Sequence, residues 1–400
     1  VEKSRRRRNE VVEEGPQFIS SSLITILLPS PIMTSNPTQH KAAFIPEKFA
    51  VKSEVRNRDT PKPKDDEVLI KIKATAINPV DWKIRDWGFM VEDYPAIVGS
   101  DAAGEIISTG SKVTNVKVGD RVGFQGILGK NDSATFQQYC VMSSDLVGIL
   151  PSSISYEQAA GVSLASIAVI SAFYHEAGAD IKPRPWQAGG DKAGNGKSIV
   201  IIGGSSSVGQ YAIQLAKLSG FSNIVTASSK QHHDHLENLG AHVVLDRNSA
   251  KPEDYAEASK AYPLGIALDA ISTPESGTLA VQILAAANPN GAPSNAGVEN
   301  STMIHLLDVP DEVKQEAGKI PNAKIRLTNT WGISSSPHLR NTSVEFYKAL
   351  FGNDGYLAKD QIKPNKPLVV KGGLAALDEA LAKNKEGVSG VKVVILPNEE

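Results

Sequence analysis

The spacing of apolar positions changes twice along the chain. From residue 39 to 150, apolar residues come in short β-branched or alternating runs, at 67–76, 103–108 and 121–124, with Gly, Asp and Asn between them. That pattern predicts a mostly β region, with Val118-Gly119-Asp120-Arg121-Val122 as a turn feeding a strand. Between residues 155 and 178, Ala159, Ala160, Leu164, Ile167, Ile170 and Phe173 fall at helical spacing, which predicts one long helix bridging two domains. Residues 179–196, rich in Pro, Gly, Ala and Asp, predict a surface loop. Strands then alternate with helices: strand 198–203, helix 208–218, strand 223–227, helix 233–239 and strand 243–245, with further strands at 266–270 and 323–327. Such alternation implies a parallel sheet covered by helices. The tail predicts a helix at 374–382 and a last strand at 391–396.

A chain of 400 residues exceeds what one core usually organises, so two domains are expected. With 22% charged residues and a net charge of -2, there is no electrostatic reason to expect a nucleic acid partner. A single cysteine, Cys140, excludes an intrachain disulfide and a cysteine-rich zinc lobe, and favours a reducing, cytoplasmic setting. Residues 1–33 differ from the rest: Arg5 to Arg8, then Glu13 and Glu14, then an apolar stretch at 23–28 too short to cross a bilayer. They are expected to be a disordered extension or leader, with Met33 as the natural start, and no membrane association is expected.

The strongest signal is Ile199-Val200-Ile201-Ile202-Gly203-Gly204-Ser205-Ser206-Ser207-Val208-Gly209, a buried strand running through small residues into a helix. Small residues let the backbone approach a pyrophosphate, whose charge is stabilised by N–H groups at the helix start, and Gly209 permits close helix packing. The context of strand, loop, amphipathic helix and second strand is the one a dinucleotide site requires. Ser206 replaces the middle glycine, so the loop is a variant.

Together with Ala76-Ile77-Asn78-Pro79-Val80-Asp81-Trp82-Lys83, Val98-Gly99-Ser100-Asp101-Ala102-Ala103-Gly104, the 118–122 turn and Val388-Ser389-Gly390-Val391-Lys392, this loop resembles the medium-chain dehydrogenase/reductase family. The resemblance runs from about residue 42 to the C-terminus, and is closer to the family's zinc-free branch of quinone oxidoreductases and fungal trans-acting enoyl reductases. It implies an α/β fold in which a Rossmann doubly wound parallel sheet is inserted in a GroES-like, mostly β catalytic domain. The expected boundaries are 34–165 and 340–400 for the catalytic domain and 166–339 for the NADPH-binding domain. Zinc enzymes similar to this chain hold their metal with Cys and His at motifs like those around Asn78 and Ser100, where this chain has neither, so no metal is expected. The cluster His232, His233 and His235 is expected to be a solvated or phosphate-facing surface.

Without a Lewis acid, hydride transfer from reduced nicotinamide to the β-carbon of an enone, enoyl thioester or quinone is the expected chemistry, and the developing enolate needs a hydrogen-bond donor and a proton. By resemblance, Asn78, Asp81 and Lys83 sit at the cleft: Asn78 as an amide ligand of ribose or substrate oxygen, Asp81 orienting the loop or capping a helix, Lys83 offering an N–H donor. Tyr94, Tyr139 and Tyr174 are alternative donors. Ala168 stands where similar enzymes carry a hydroxyl near the nicotinamide, a contact that Ser163 or Ser166 is then expected to supply. Ala270 and Ile271 are expected to give backbone contacts to the cofactor.

NADPH is expected over NADH, because the second strand of the nucleotide fold ends in Ala227-Ser228-Ser229-Lys230 without the acidic residue that binds a ribose 2'-OH. Ser228 and Ser229, the ammonium of Lys230 and the guanidinium of Arg247 then form a clamp for a 2'-phosphate. Three activities fit: a reductase of a small conjugated carbonyl compound, a trans-acting enoyl reductase working with a polyketide synthase, and an NADPH-binding protein without catalysis. A monomer or homodimer is expected.

Overall fold

The computed structural model describes residues 36–291 and 301–399; the expected leader over 1–33 lies outside them. The N-terminal β pattern becomes strands β1 (Gln39–Ile45), β2 (Glu54–Asp59) and β3 (Glu67–Ala76), helix α1 (Pro79–Trp87), then β4 (Ala96–Ile97), β5 (Ala102–Thr109), β6 (Arg121–Phe124), β7 (Tyr139–Ser143) and β8 (Val147–Ile149). β3 is the long central strand, pairing antiparallel with both β5 and β7, and its apolar residues are buried as the alternation demands.

The single helix expected over 155–178 is instead two, α2 (Tyr156–Ala159) and α3 (Ser163–Tyr174). The break has a packing cause: Gly161 lies between them, and any side chain there would strike the stem of Lys392. α3 is buried on every side, so it reads as a core helix of the protein.

The alternating strands and helices follow as β9 (Ser198–Ile202), α4 (Ser207–Leu218), β10 (Asn223–Ser228), α5 (His233–Leu239), β11 (Val243–Asp246), α6 (Pro252–Ser259), β12 (Leu264–Asp269), α7 (Pro274–Ala287), β13 (Ser301–His305), α8 (Asp311–Lys319) and β14 (Ile325–Asn329). The six strands form one parallel sheet in the order β11-β10-β9-β12-β13-β14. Strand order reverses between β9 and β12, so a crevice opens at their carboxyl ends, where dinucleotides bind in such sheets. The strand expected at 323–327 starts later, because residues 321–323 make a helical turn and Lys324 takes a left-handed conformation (φ 48°).

The chain then returns to the first region through α9 (Arg340–Leu350), β15 (Lys366–Val369), α10 (Leu377–Glu386) and β16 (Val391–Ile395). β16 pairs antiparallel with β3, so the C-terminal segment completes the same sheet as the N-terminal strands. The tail helix is shifted from its expected start, because residues 373–376 wind as a separate 3-10 turn.

Candidate active site

One apolar cleft of about 250 Å³ lies between the carboxyl edge of the parallel sheet and the α1 region, and both walls carry polar groups. On the sheet side the strand β9 is followed by Gly203, whose φ of 78° suits glycine and whose missing side chain leaves room for Ile271. Gly204 faces Thr226 and Gly209 faces the Gly203 carbonyl, both too closely for a side chain. Ser206 is the N-cap of α4 and accepts the Gly209 N–H at 3.0 Å. The N–H groups of Ser207 and Val208, in the first turn of α4, have no partner within the helix and suit a pyrophosphate. Val208 lines the cleft, while Ser207 Oγ donates to Asn365 Oδ1 at 3.1 Å. Ser205 is tied to the C-terminal segment: its carbonyl accepts the Gly390 N–H at 3.1 Å, and its hydroxyl lies 3.1 Å from Ser389 Oγ, itself 2.9 Å from His232 Nε2.

At the carboxyl end of β10, Ser228 is buried with its hydroxyl on the Ser229 carbonyl, and Arg247 is exposed with its backbone N–H on the Ser228 carbonyl at 3.1 Å. Lys230 is exposed too, but its ammonium lies 3.7 Å from Asp246, the residue in register with Ser228 on the neighbouring strand. Sequence reading did not foresee that carboxylate. His233 and His235 meet the Ser228 carbonyl and Gln210, and among the described residues no three His, Cys, Asp or Glu side chains converge on a point.

Ala270 and Ile271 line the cleft. Their N–H donors are spent on the Ile202 carbonyl at 3.1 Å and on Asp269 Oδ1 at 3.0 Å, so the backbone contact expected of them falls to their carbonyls. Asp269 is buried, held by Ser272 and Ser276, and its carboxyl is raised above the usual range by burial. The hydroxyl missing at Ala168 is not replaced at the cleft surface by Ser163 or Ser166: Ser166 Oγ turns back to the Val162 carbonyl at 2.7 Å, Ser163 Oγ is buried without a hydrogen-bond partner, and the α3 residues that line the cleft are Leu164 and Ala168.

On the opposite wall, Asn78 is the N-cap of α1 and lines the cleft. Asp81, expected at the cleft as the residue that orients the loop or caps a helix, is wholly buried and does not line the cleft; its Oδ2 accepts the Asn78 N–H at 2.7 Å, closing the capping box of α1. It therefore positions Asn78 and touches no substrate. Burial drives its carboxyl up to about 7, against the lowering effect of that N–H and of Lys392. Asn78 Oδ1 accepts from the Lys392 ammonium, and its Nδ2 lies 3.5 Å from Asp101 Oδ2. Asp101 is the hub: its Oδ2 is 3.5 Å from Lys392 Nζ, and its Oδ1 accepts the Leu164 N–H at 3.1 Å near the start of α3. Burial raises Asp101 to about 6, opposed chiefly by Lys392, and burial pulls the Lys392 amine down.

Lys83 lines the same cleft, half-buried, with its Nζ 5.6 Å from the Trp82 ring and no ion pair to a described residue; desolvation lowers its amine. Two buried hydroxyls that sequence reading passed over also line it without a hydrogen-bond partner, Ser100 Oγ beside Asn78 and Thr330 Oγ1 across from it. Tyr94, Tyr139 and Tyr174 do not line it; Tyr174 is hydrogen-bonded to Ser219 at 2.7 Å in the core. A catalytic zinc does not fit this donor set. The positions flanking the cleft carry an amide, a hydroxyl and a carboxylate already bound to an ammonium, and the sole thiol, Cys140, is buried in β7.

Residues 64–172 match the alcohol dehydrogenase GroES-like domain, and residues 207–311 match the zinc-binding dehydrogenase family. The chain is 32% identical over 378 residues to the trans-enoyl reductase tndF of Aspergillus flavipes, covering 89% of this chain and 99% of that protein. It is 33% identical over 189 residues to a chloroplastic quinone-oxidoreductase homolog of Spinacia oleracea, covering 46% of this chain and 54% of that protein. The fold is shared with the quinone oxidoreductase of Coxiella burnetii, at a TM-score of 0.65 and 21% identity over 90% of this chain and 99% of that one.

Proposed function

We propose, since the chain belongs to the medium-chain dehydrogenase/reductase family, that this oxidoreductase uses NADPH to reduce the activated C=C of an enone, enoyl thioester or quinone, without zinc. The observation that carries this reading is the character of the cleft: apolar walls, no convergent metal ligands among the described residues, and a few donors, Asn78, Lys83 and Ser100 on one wall and Thr330 across from them. Such a site desolvates a carbonyl oxygen and concentrates hydrogen bonding where negative charge develops.

The loop Gly203–Gly209 and the start of α4 would hold the pyrophosphate, with Ser228, Ser229, Lys230 and Arg247 around the 2'-phosphate. Bound there, the reduced coenzyme supplies hydride. Ser100 Oγ, the Asn78 amide and the Lys83 ammonium face the substrate as donors to its carbonyl oxygen. Because Lys392 occupies Asn78 Oδ1, that amide can offer only its N–H side, so Lys392 and Asp101 fix its polarity. Lys83, with an amine lowered by desolvation, is the group that can release a proton to the α-carbon.

A carrier-bound acyl chain is the second reading, supported by similarity along nearly the whole length of a trans-enoyl reductase; it requires a polyketide synthase partner. NADPH oxidation with a panel of enals, quinones and enoyl thioesters tests the proposal. Turnover of at least one class is expected, and coenzyme binding without turnover of any would mean a non-catalytic nucleotide-binding protein.

A further inference from the structure

Helix α1 ends at Gly88 in a left-handed conformation, its N–H on the Ile84 carbonyl at 3.0 Å. Two residues later Met90 is left-handed as well (φ 62°), a conformation that strains a non-glycine residue. The Val91 N–H closes back on the Phe89 carbonyl at 2.9 Å. This doubled turn presents Phe89 and Met90 to the cleft.

Facing it from the end of β14 is Trp331, on a segment of the opposite kind. The buried side chain of Gln125 grips that segment with both ends: Nε2 donates to the Gly332 carbonyl and Oε1 accepts the Ser334 N–H, each at 2.7 Å. Gly332 packs on the backbone of Ala168 so closely that a side chain would clash. The Phe89 and Trp331 rings stack with centroids 6.0 Å apart and planes 20° apart, joining the two walls. A methylene chain slotted between two ring faces needs about 7 to 8 Å, twice an ordinary carbon contact, so the pair as seen closes this part of the cleft.

We propose that Phe89 and Trp331 form a gate that sets the length of acyl chain the cleft admits, Trp331 as the fixed jamb and Phe89 as the leaf on its strained turn. This rests on the reading of the cleft as a conjugated-carbonyl site, and it names the specificity-determining residues of that site. A short substrate sits behind the closed pair; a longer one must swing Phe89 outward and loses the stacking.

Binding of saturated N-acetylcysteamine thioesters of four, eight and twelve carbons to the NADP-loaded enzyme, by calorimetry, tests the gate without relying on turnover. In the parent, affinity should stop rising, or fall, beyond the shortest chain. In Phe89→Ala and Trp331→Ala the ratio of twelve-carbon to four-carbon affinity should rise about tenfold or more, since each newly buried methylene adds to binding, while Phe89→Tyr keeps the parent ratio. An unchanged ratio in both alanine variants, an equal loss at every length, or no binding of any thioester overturns the gate. NADPH oxidation with the 2-enoyl counterparts is scored separately: a shifted binding ratio without turnover keeps the gate and overturns the reductase reading, and turnover with an unshifted ratio does the reverse.

Discussion

Two lysine–aspartate pairs in this molecule have nearly the same separation and opposite surroundings. Lys392 lies 3.5 Å from Asp101, both buried behind the cleft, and Lys230 lies 3.7 Å from Asp246, with the lysine side chain 82% exposed past the carboxyl end of β10. Distance does not distinguish them, but solvent does. The buried pair cannot exchange partners with water and so acts as a frame, fixing Asn78 on one side and the start of α3 on the other. The exposed pair is screened and worth little to stability, so its ammonium is free to change partners, as the 2'-phosphate clamp proposed for it requires.

The largest effect should come from breaking the frame. Lys392→Met leaves Asp101 and Asp81 buried without their cation, a loss of about 3 to 5 kcal/mol, seen as a drop of many degrees in melting temperature. Adding Asp101→Asn should restore most of it; a single variant as stable as the parent would dismiss the frame.

At the exposed pair the effect should appear in coenzyme choice and not in melting. Lys230→Ala is expected to lower the kcat/KM preference for NADPH over NADH by roughly tenfold to hundredfold, and Asp246→Asn to raise it. Equal efficiency with both coenzymes in the parent would refute the NADPH assignment, whereas an unchanged preference in Lys230→Ala would reject only that clamp residue.

Stability should also depend on pH. Burial raises Asp81 from 3.8 to about 7, so its contribution to stability is present below pH 4 and is lost as pH rises through about 7. Asp81→Asn keeps an acceptor for the Asn78 N–H but does not ionise, so melting temperature should fall less between pH 4 and pH 8 in the variant than in the parent. Equal falls in both would place the titration elsewhere. The smallest effect expected is none: with an ammonium beside the cleft in place of metal ligands, chelators should leave activity intact, and one tightly held zinc per chain, lost with activity, would contradict this.

What the sequence disclosed follows from how local each signal is. The loop from Gly203 to Gly209 was legible because strand, small residues and helix are contiguous, and the parallel order of strands follows from their alternation with helices. Strand β2, Glu-Val-Arg-Asn-Arg-Asp, carries no apolar alternation because it is an exposed strand held by pairing with β1, so no pattern announced it. Asn78 and Lys392 stand 314 positions apart, and although both belong to recognisable motifs, nothing along the chain says that one fixes the amide of the other. Which backbone group Ile271 can offer was hidden for the same reason, since its N–H is spent on Asp269 by a turn that only the folded chain displays. Ser100 carried a weak signal, a hydroxyl inside a motif next to Asp101, and became a candidate donor only once burial left it without a partner.

The measurement that bears most directly on the central claim is the fate of the hydride. With NADPH deuterated at the transferable position of nicotinamide C4 and a 2-enoyl thioester or enone the enzyme turns over, mass spectrometry and NMR of the product should find one deuterium at the β-carbon of a saturated carbonyl compound. Deuterium at the carbonyl carbon of an alcohol, with the double bond intact, would contradict conjugate reduction and the donor arrangement read from the cleft.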